Sequence, residues 1–364
     1  MRNFFKGDFV ILIWSGFIGL VLVMLALDLG VFHRTAHIVS FREAMWWSFI
    51  WITMGLGFSI FIYYGYENHW LGLGDSVDSV DGLINNGTTA TIKYLTGYVV
   101  EKSLSIDNIF VIAMVFSSFA VPAIYQHRVL FWGIMGALLM RGAMIIIGAR
   151  LIAEFHWVLY VFGIFLIITG LKMLLFKSEN KDPNQNIMVR LARYFLPVTS
   201  RFHGQHFLVR AGSAASQESA IPGESALPDE VLLSAKKGTW LLTPLALALI
   251  VVETTDLIFA IDSIPAIFAI TADPFLVFTS NVFAILGLRS LYFALAGMID
   301  KFKYLKVALA LVLIVVGFKM LIASWLKEMI GKNFNFYLLG LILIILSTSI
   351  IFSLYRKSKV QEEL

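Results

Sequence analysis

The sequence predicts an all-α polytopic membrane protein of about nine spanning helices, built on an inverted repeat of three plus three helices with peripheral helices added. Three observations carry that expectation. The chain has 364 residues, 59% hydrophobic and only 14% charged, with a mean hydropathy of +0.83, a balance that no soluble globule shows. Its apolar residues gather into stretches of about 18 to 30, the length needed to cross a bilayer as helix. Three separate motifs then recur at one offset, as set out below.

The expected spans are 9–32, 42–63, 91–119, 127–150, 157–176, 241–271, 275–298, 305–326 and 335–355. The first is as long as a full crossing and contains Asp28, so it reads as a span rather than a cleaved signal. Lysine and arginine set the orientation. Arg34 and Arg42, Arg128, the Lys301, Lys303 and Lys306 group, and the Arg356, Lys357 and Lys359 tail fall on alternate connections, expected in the cytoplasm. The loop after span 2 carries Glu67, Asp75, Asp78 and Asp81 and is expected outside, placing the N-terminus outside and the C-terminus in the cytoplasm. The net charge of +4 is thus a matter of topology and not of nucleic acid. With no cysteine there is no disulfide framework or thiol chemistry.

The chain divides into 1–90, two peripheral helices with an acidic external loop; 91–176, a first three-helix repeat; 177–240, a cytoplasmic connection; 241–326, a second repeat; and 327–364, a last span with a basic tail. The connection holds a basic amphipathic piece at Met188–Phe195 and an insertion, 211–236, whose small residues, prolines and charges read as flexible. Phe202–Arg210 and Lys237–Leu242 are candidates to pair as short strands beside it.

The repeat is visible in three matches. DNIFVI from Asp107 matches DLIFAI from Asp256, LLMRGAM around Arg141 matches LGLRSLY around Arg289, and TGLKMLL around Lys172 matches VGFKMLI around Lys319, at offsets of 149, 148 and 147 residues. An odd number of crossings per copy inverts the second copy, the plan of many secondary transporters, which bind substrate at the midplane between halves. Asp107 and Asp256 become symmetry mates, and Lys172 and Lys319, nearer the membrane faces, are expected to snorkel.

Chemistry concentrates in VVETTDLIFAIDSIPAIFAIT from Val251 and YVVEKSLSIDNIF from Tyr98. Ionised groups inside a span are costly and functional by default. Glu101, Ser105, Asp107 and Asn108 from one copy, and Glu253, Thr255, Asp256, Asp262 and Ser263 from the other, form an oxygen-only set suited to Mn²⁺, Mg²⁺ or Ca²⁺. At 100° per residue a straight helix cannot aim all these acids at one ion, so the helices unwind locally or the acids form successive stations. Arg141 and Arg289 are the expected counter-ions when no cation is bound. Asp28 and Asn281 are further possible contacts. Proton exchange is expected to accompany cation movement; no resident cofactor, catalytic group or phosphate-cradling loop is expected, so an enzyme is not.

These motifs resemble the TerC family of tellurite-resistance and alkaline-induced membrane proteins. The resemblance rests on EKSLSIDN from Glu101, ETTDLIFAIDSIPAIFAIT from Glu253, DPFLVFTSNVFAILGLRSLYF from Asp273 and LALDLGVF from Leu25, and covers the chain outside 211–236. It implies a manganese exporter of the bacterial cytoplasmic membrane, related to the lysine-exporter superfamily with its three-plus-three arrangement. It also implies functional roles for Glu101, Asp107, Glu253, Asp256 and Asp262. The rival expectation is an accessory protein that helps other membrane proteins fold or assemble, or confers tellurite or stress resistance without transport.

Overall fold

The computed structural model describes residues 2–30, 39–175, 187–218, 229–295, 305–330 and 334–362. The described chain is mostly helical, with two small two-stranded sheets. Helices α1 (Arg2–Gly30) and α2 (Phe41–Glu67) come first, and a loop with the hairpin β1 (Val77–Asp78) and β2 (Leu83–Ile84) leads into α3 (Gly87–Ser118). Next are α4 (Ala123–Glu154) and α5 (Val158–Leu175). After α6 (Ile187–Phe195), β3 (Leu208–Arg210), α7 (Glu230–Ser234) and β4 (Trp240–Leu242), the chain returns to long helices. These are α8 (Pro244–Phe268), α9 (Pro274–Leu286), α10 (Leu288–Leu295), α11 (Leu305–Leu321), α12 (Ala323–Ile330) and α13 (Phe334–Glu362).

The helices start where local chemistry dictates. Asn86 and Thr89 form a capping box at α3, Thr243 caps α8 with Pro244 in the first turn, and Asp273 caps α9 with Pro274 behind it. Among the described residues six segments are long and apolar enough to cross a membrane: Phe41–Glu67, Ala123–Glu154, Val158–Leu175, Pro244–Phe268, Pro274–Leu295 and Phe334–Ser353. Of the other three expected spans, α3 carries Lys93, Glu101, Lys102 and Asp107, α1 runs over 29 residues with side chains described for 11–27, and α11 begins at the first residue described after 295.

Four expectations change or narrow. The span at 275–298 is not one helix but α9 and α10, broken at Gly287, where a Cβ would meet Trp51 at 2.8 Å and the Lys102 amine at 2.9 Å. Of the two alternatives for the acids, local unwinding drops out: α3 and α8 run through them, and Pro265 lies one turn before the end of α8. Lys319 does not snorkel; it is buried, donates to the Ala269 carbonyl and lies 4.9 Å from the Phe334 ring centroid. Lys172 is exposed, as expected. The insertion at 211–236 is not featureless, because Val231, Leu232 and Ala235 pack on Val209, Ala211 and Leu241; its residues 219–228 lie outside the described residues. The expected strand pairing is present as β3 with β4, Leu208 opposite Leu242, and the basic amphipathic piece is α6.

Helices α5 and α11 form the tightest helix pair. A Cβ on Gly170 would stand 2.7 Å from the Ala310 carbonyl oxygen and 2.6 Å from Ile314, and one on Gly317 would stand 2.7 Å from the Gly163 carbonyl oxygen and 2.9 Å from Ile167. Contact partners that rise along α5 fall along α11, so the two are antiparallel. Small residues permit this approach, the usual device where lipid removes the hydrophobic drive between helices.

Candidate functional site

The two ends of the bundle are distinct. At one, the loop between α2 and α3 lies against the turn between α8 and α9. At the other, the segment with α6 and β3–β4 meets the first turns of α4 and α8, through Arg128 to Gln205 at 3.0 Å and Thr243 to the His206 carbonyl at 2.7 Å. Between them, the charged residues of α3, α4 and α8 meet.

At the centre is Arg141, 2% exposed, on α4. It lies among bulky apolar neighbours on its own helix, yet its guanidinium reaches two other helices. Nε and Nη2 donate to the two oxygens of Asp256 at 3.2 and 3.0 Å, a bidentate fork. Nη1 donates to Glu101 and, at 3.2 Å, to the Ser263 hydroxyl. The Asn108 amide donates to Asp256 at 3.4 Å. Glu101, Asn108, Ser263, Asp256 and Arg141 therefore form one connected group, drawn from α3, α4 and α8.

Several oxygens beside that group accept no hydrogen bond. Buried Glu101 Oε2, Ser105 Oγ and Asn108 Oδ1 are all without a partner. Such orphaned acceptors are expensive in a low-dielectric interior, and together they offer carboxylate, hydroxyl and amide oxygens, the donor set a hard cation takes.

The other candidates stand apart. Glu253 is half-buried on α8, its carboxylate packed against Gly136 so closely that no Cβ fits there. Asp262 is half-buried and accepts from Thr169 of α5 at 3.4 Å. Asp107 is half-buried on α3 with Lys306, at the start of α11, as the charge acting on it; its neighbour Asn108, rather than Asp107 itself, contacts Asp256. Thr255 is half-buried outside the Arg141 group, and Asn281 and Arg289 are buried on α9 and α10. The side chain of Asp28 lies outside the described residues. Among the described residues no three Asp, Glu or His side chains converge closely enough to hold a metal ion. The acids thus do not meet at one point, because regular helices spread them around their axes.

Sequence reading missed Lys102, next to Glu101, whose amine donates to the Ala284 carbonyl at 3.0 Å near the break at Gly287. It also missed a buried ionic group in the α2–α3 loop. Lys93 Nζ donates to Asp78 at 2.8 Å and Asn85 at 2.7 Å and lies 2.7 Å from Asp81. Asp78 in turn accepts from the Thr271 hydroxyl and, at 2.9 Å, from the Ala272 amide. Burial opposes ionisation of Asp78, but Lys93 and these donors outweigh it and hold the carboxyl below its ordinary range.

A family model, integral membrane protein TerC family, matches residues 86–361. An uncharacterised membrane protein of Myxococcus xanthus is 46% identical over 315 residues, 86% of this chain and 85% of that one. A protein of Photorhabdus laumondii, provisionally named membrane-bound redox modulator Alx, is 39% identical over 345 residues, covering 94% of this chain and 95% of its own. Its namesake in Escherichia coli K12 is 41% identical over 316 residues, 86% and 87% of the two chains. No solved structure matches. On this evidence the chain is an integral membrane protein of the TerC family.

Proposed function

We propose that this protein is a secondary transporter that exports a divalent cation, with Mn²⁺ the leading cargo, from the bacterial cytoplasm in exchange for protons. The observation that carries the reading is the Arg141 group. A single arginine bridges carboxylates of two helices while the hydroxyl, amide and carboxylate oxygens beside it are left without donors. An arginine in that position is a built-in cation that incoming cargo displaces, and its release restores the pair once cargo leaves. Glu253 and Asp262, on either side of Asp256 along α8, serve as stations on the way in and out.

The inverted repeat with nine crossings is part of the same proposal, and the α5–α11 contact supports it. Residues 317 and 170, 310 and 163, and 314 and 167 all differ by 147, so exchanging the copies turns the Gly170 contacts with Ala310 and Ile314 into those of Gly317 with Gly163 and Ile167. Such reciprocity is what a two-fold axis produces. The positive-inside pattern then puts the face with Arg128 and α6 in the cytoplasm and the α2–α3 loop outside. Relatives are named as redox modulators, but this chain has no cysteine, so an influence on redox balance would act through the cargo and not through thiols of its own.

The test is Mn²⁺ flux in proteoliposomes with an imposed pH gradient, comparing wild type with Asp256→Asn and with Mg²⁺, Ca²⁺ and Zn²⁺ as competitors. Flux that requires Asp256 and responds to the gradient supports the reading. A well-folded wild type that carries no metal refutes it and leaves the accessory-factor role.

A further inference from the structure

The loop between α2 and α3 was read in the sequence as a set of orienting charges, yet two of its acids, Asp78 and Asp81, are folded inward while Glu67 and Asp75 stay exposed. Asp78 is 3% exposed, Lys93 1% and Asn85 1%. Lys93 belongs to α3, Asp78, Asp81 and Asn85 to the loop, and Thr271 and Ala272 to the turn after α8, so the contacts tie the first repeat to the second through the loop. Two further bonds fasten the same corner. Tyr66 at the end of α2 donates to Asp273 at 2.8 Å, and Lys319 of α11 donates to the Ala269 carbonyl.

The two membrane faces differ in this respect. The turn that joins α3 to α4 in the first copy, 119–122, lies at the end of the bundle covered by the segment with α6 and β3–β4, and the counterpart of buried Lys319 is exposed Lys172. The two faces thus carry different covers, and the α2–α3 loop is held to its turn by a buried lysine–carboxylate group.

We propose that the loop 68–86 is a gate that closes the cargo path on this face, latched to the 269–272 turn by Lys93, Asp78 and Asp81. This deepens the transport reading and rests on it. An ionic latch suits a part that must open. Ions taken out of water are costly to bury, and their mutual attraction roughly offsets that cost; on opening, water solvates all of them again. An apolar seal of the same area would expose its surface to water each time it opened and recover nothing. The latch also bridges the two repeats, so any rocking of one against the other that opens this face must break it.

Because the chain contains no cysteine, a single introduced thiol reports access cleanly. Ala266, fully buried on α8 between Asp262 and the turn, is the position of choice. Ala266→Cys is treated in right-side-out vesicles with a membrane-impermeant, positively charged thiosulfonate. With the latch intact, labelling is slow. Adding Lys93→Met accelerates it at least tenfold, Asp81→Asn accelerates it less, and Lys93→Arg leaves it near the starting rate. Thermal unfolding and elution profiles check that each variant is folded; if Lys93→Met is not, Asp81→Asn and Tyr66→Phe, which leave Lys93 and Asp78 in place, are the deciding pair. Equal labelling rates across the folded variants overturn the gate. Wild type that carries Mn²⁺ while labelling ignores the latch overturns the gate alone, whereas wild type that carries none overturns the transport reading and the gate with it.

Discussion

Replacing Arg141 by methionine separates a cargo site from a structural ion group. The guanidinium makes charge-assisted bonds to Asp256 at 3.2 and 3.0 Å and to Glu101, and Arg141 is 2% exposed. Removing one partner of a buried ion group costs about 3–5 kcal/mol, because uncompensated charge stays behind. Arg141→Met is therefore expected to unfold at markedly lower temperature than wild type in detergent or nanodiscs. If the carboxylates are the cargo's ligands, a divalent cation then takes the vacated place without having to displace arginine. At a concentration one hundred times its dissociation constant, a ligand stabilises the folded state by about 2.7 kcal/mol, which recovers more than half of the loss. Mn²⁺ should thus raise the unfolding temperature of Arg141→Met by more than that of wild type, and Na⁺ at equal ionic strength should not. If Mn²⁺ shifts both proteins equally, or neither, Glu101 and Asp256 are partners of Arg141 and nothing more, and the displacement argument fails.

Other outcomes follow from the same geometry. Asp256→Asn keeps the shape but removes one of the two charges held by Arg141; a charge-assisted bond worth about 1.5–3 kcal/mol corresponds to a loss of cargo affinity of roughly 10- to 150-fold, read by Mn²⁺ titration and flux. Asp262→Asn, outside the Arg141 group, should slow flux while leaving that Mn²⁺-induced stabilisation near wild type; equal losses in both would make Asp262 a ligand of the same ion. Gly170→Ala and Gly317→Ala each place a Cβ within 2.7 Å of a carbonyl oxygen across the α5–α11 contact, so each should cost about 1–3 kcal/mol, and a two-fold relation requires the costs to be similar in thermal unfolding. At the α2–α3 loop, the Asp78 carboxyl is held below its ordinary value of about pH 3.9. Its contribution is present above that pH and is lost as pH falls through the depressed native value, so acid should loosen the loop in wild type, and Asp78→Asn should lack that step in hydrogen exchange.

What was legible in the sequence was whatever cost energy in lipid. Glu101, Asp256 and Arg141 stand out because nothing apolar surrounds a charge without reason, and the structure joins those three. Helix phase was harder. Aligning DNIF with DLIF makes Asp107 the mate of Asp256, yet it is Asn108 that touches Asp256; one residue is 100° of rotation, and side-chain packing settles it. Of the two arrangements left open for the acids, local unwinding is not the one seen, because α8 stays helical through all three acids, with Pro265 where only the last turn is affected. The Lys93 group was not legible at all. Asp78 and Asp81 look like ordinary loop acids, and no spacing rule announces that a lysine fifteen residues after Asp78 turns back to bind it.

The continuity of α8 has a mechanical consequence. At 1.5 Å per residue, α8 runs about 18 Å from Asp256 to its end at Phe268, with Asp256 gripped by Arg141 and Thr271, in the turn just beyond, bound to Asp78. Site and latch are too distant to touch, and a regular helix between them transmits tilt and translation but little local change. Displacing Arg141 from Asp256 frees one end of that helix; breaking Lys93 from Asp78 frees the other. A cation that accomplishes the first biases the second only by moving α8 as a body against α3 and α4. On the transport reading, coupling follows rigid motion of α8 as a body, with Asp262, held to α5 by Thr169, as the point between the two ends where that motion is passed to a third helix.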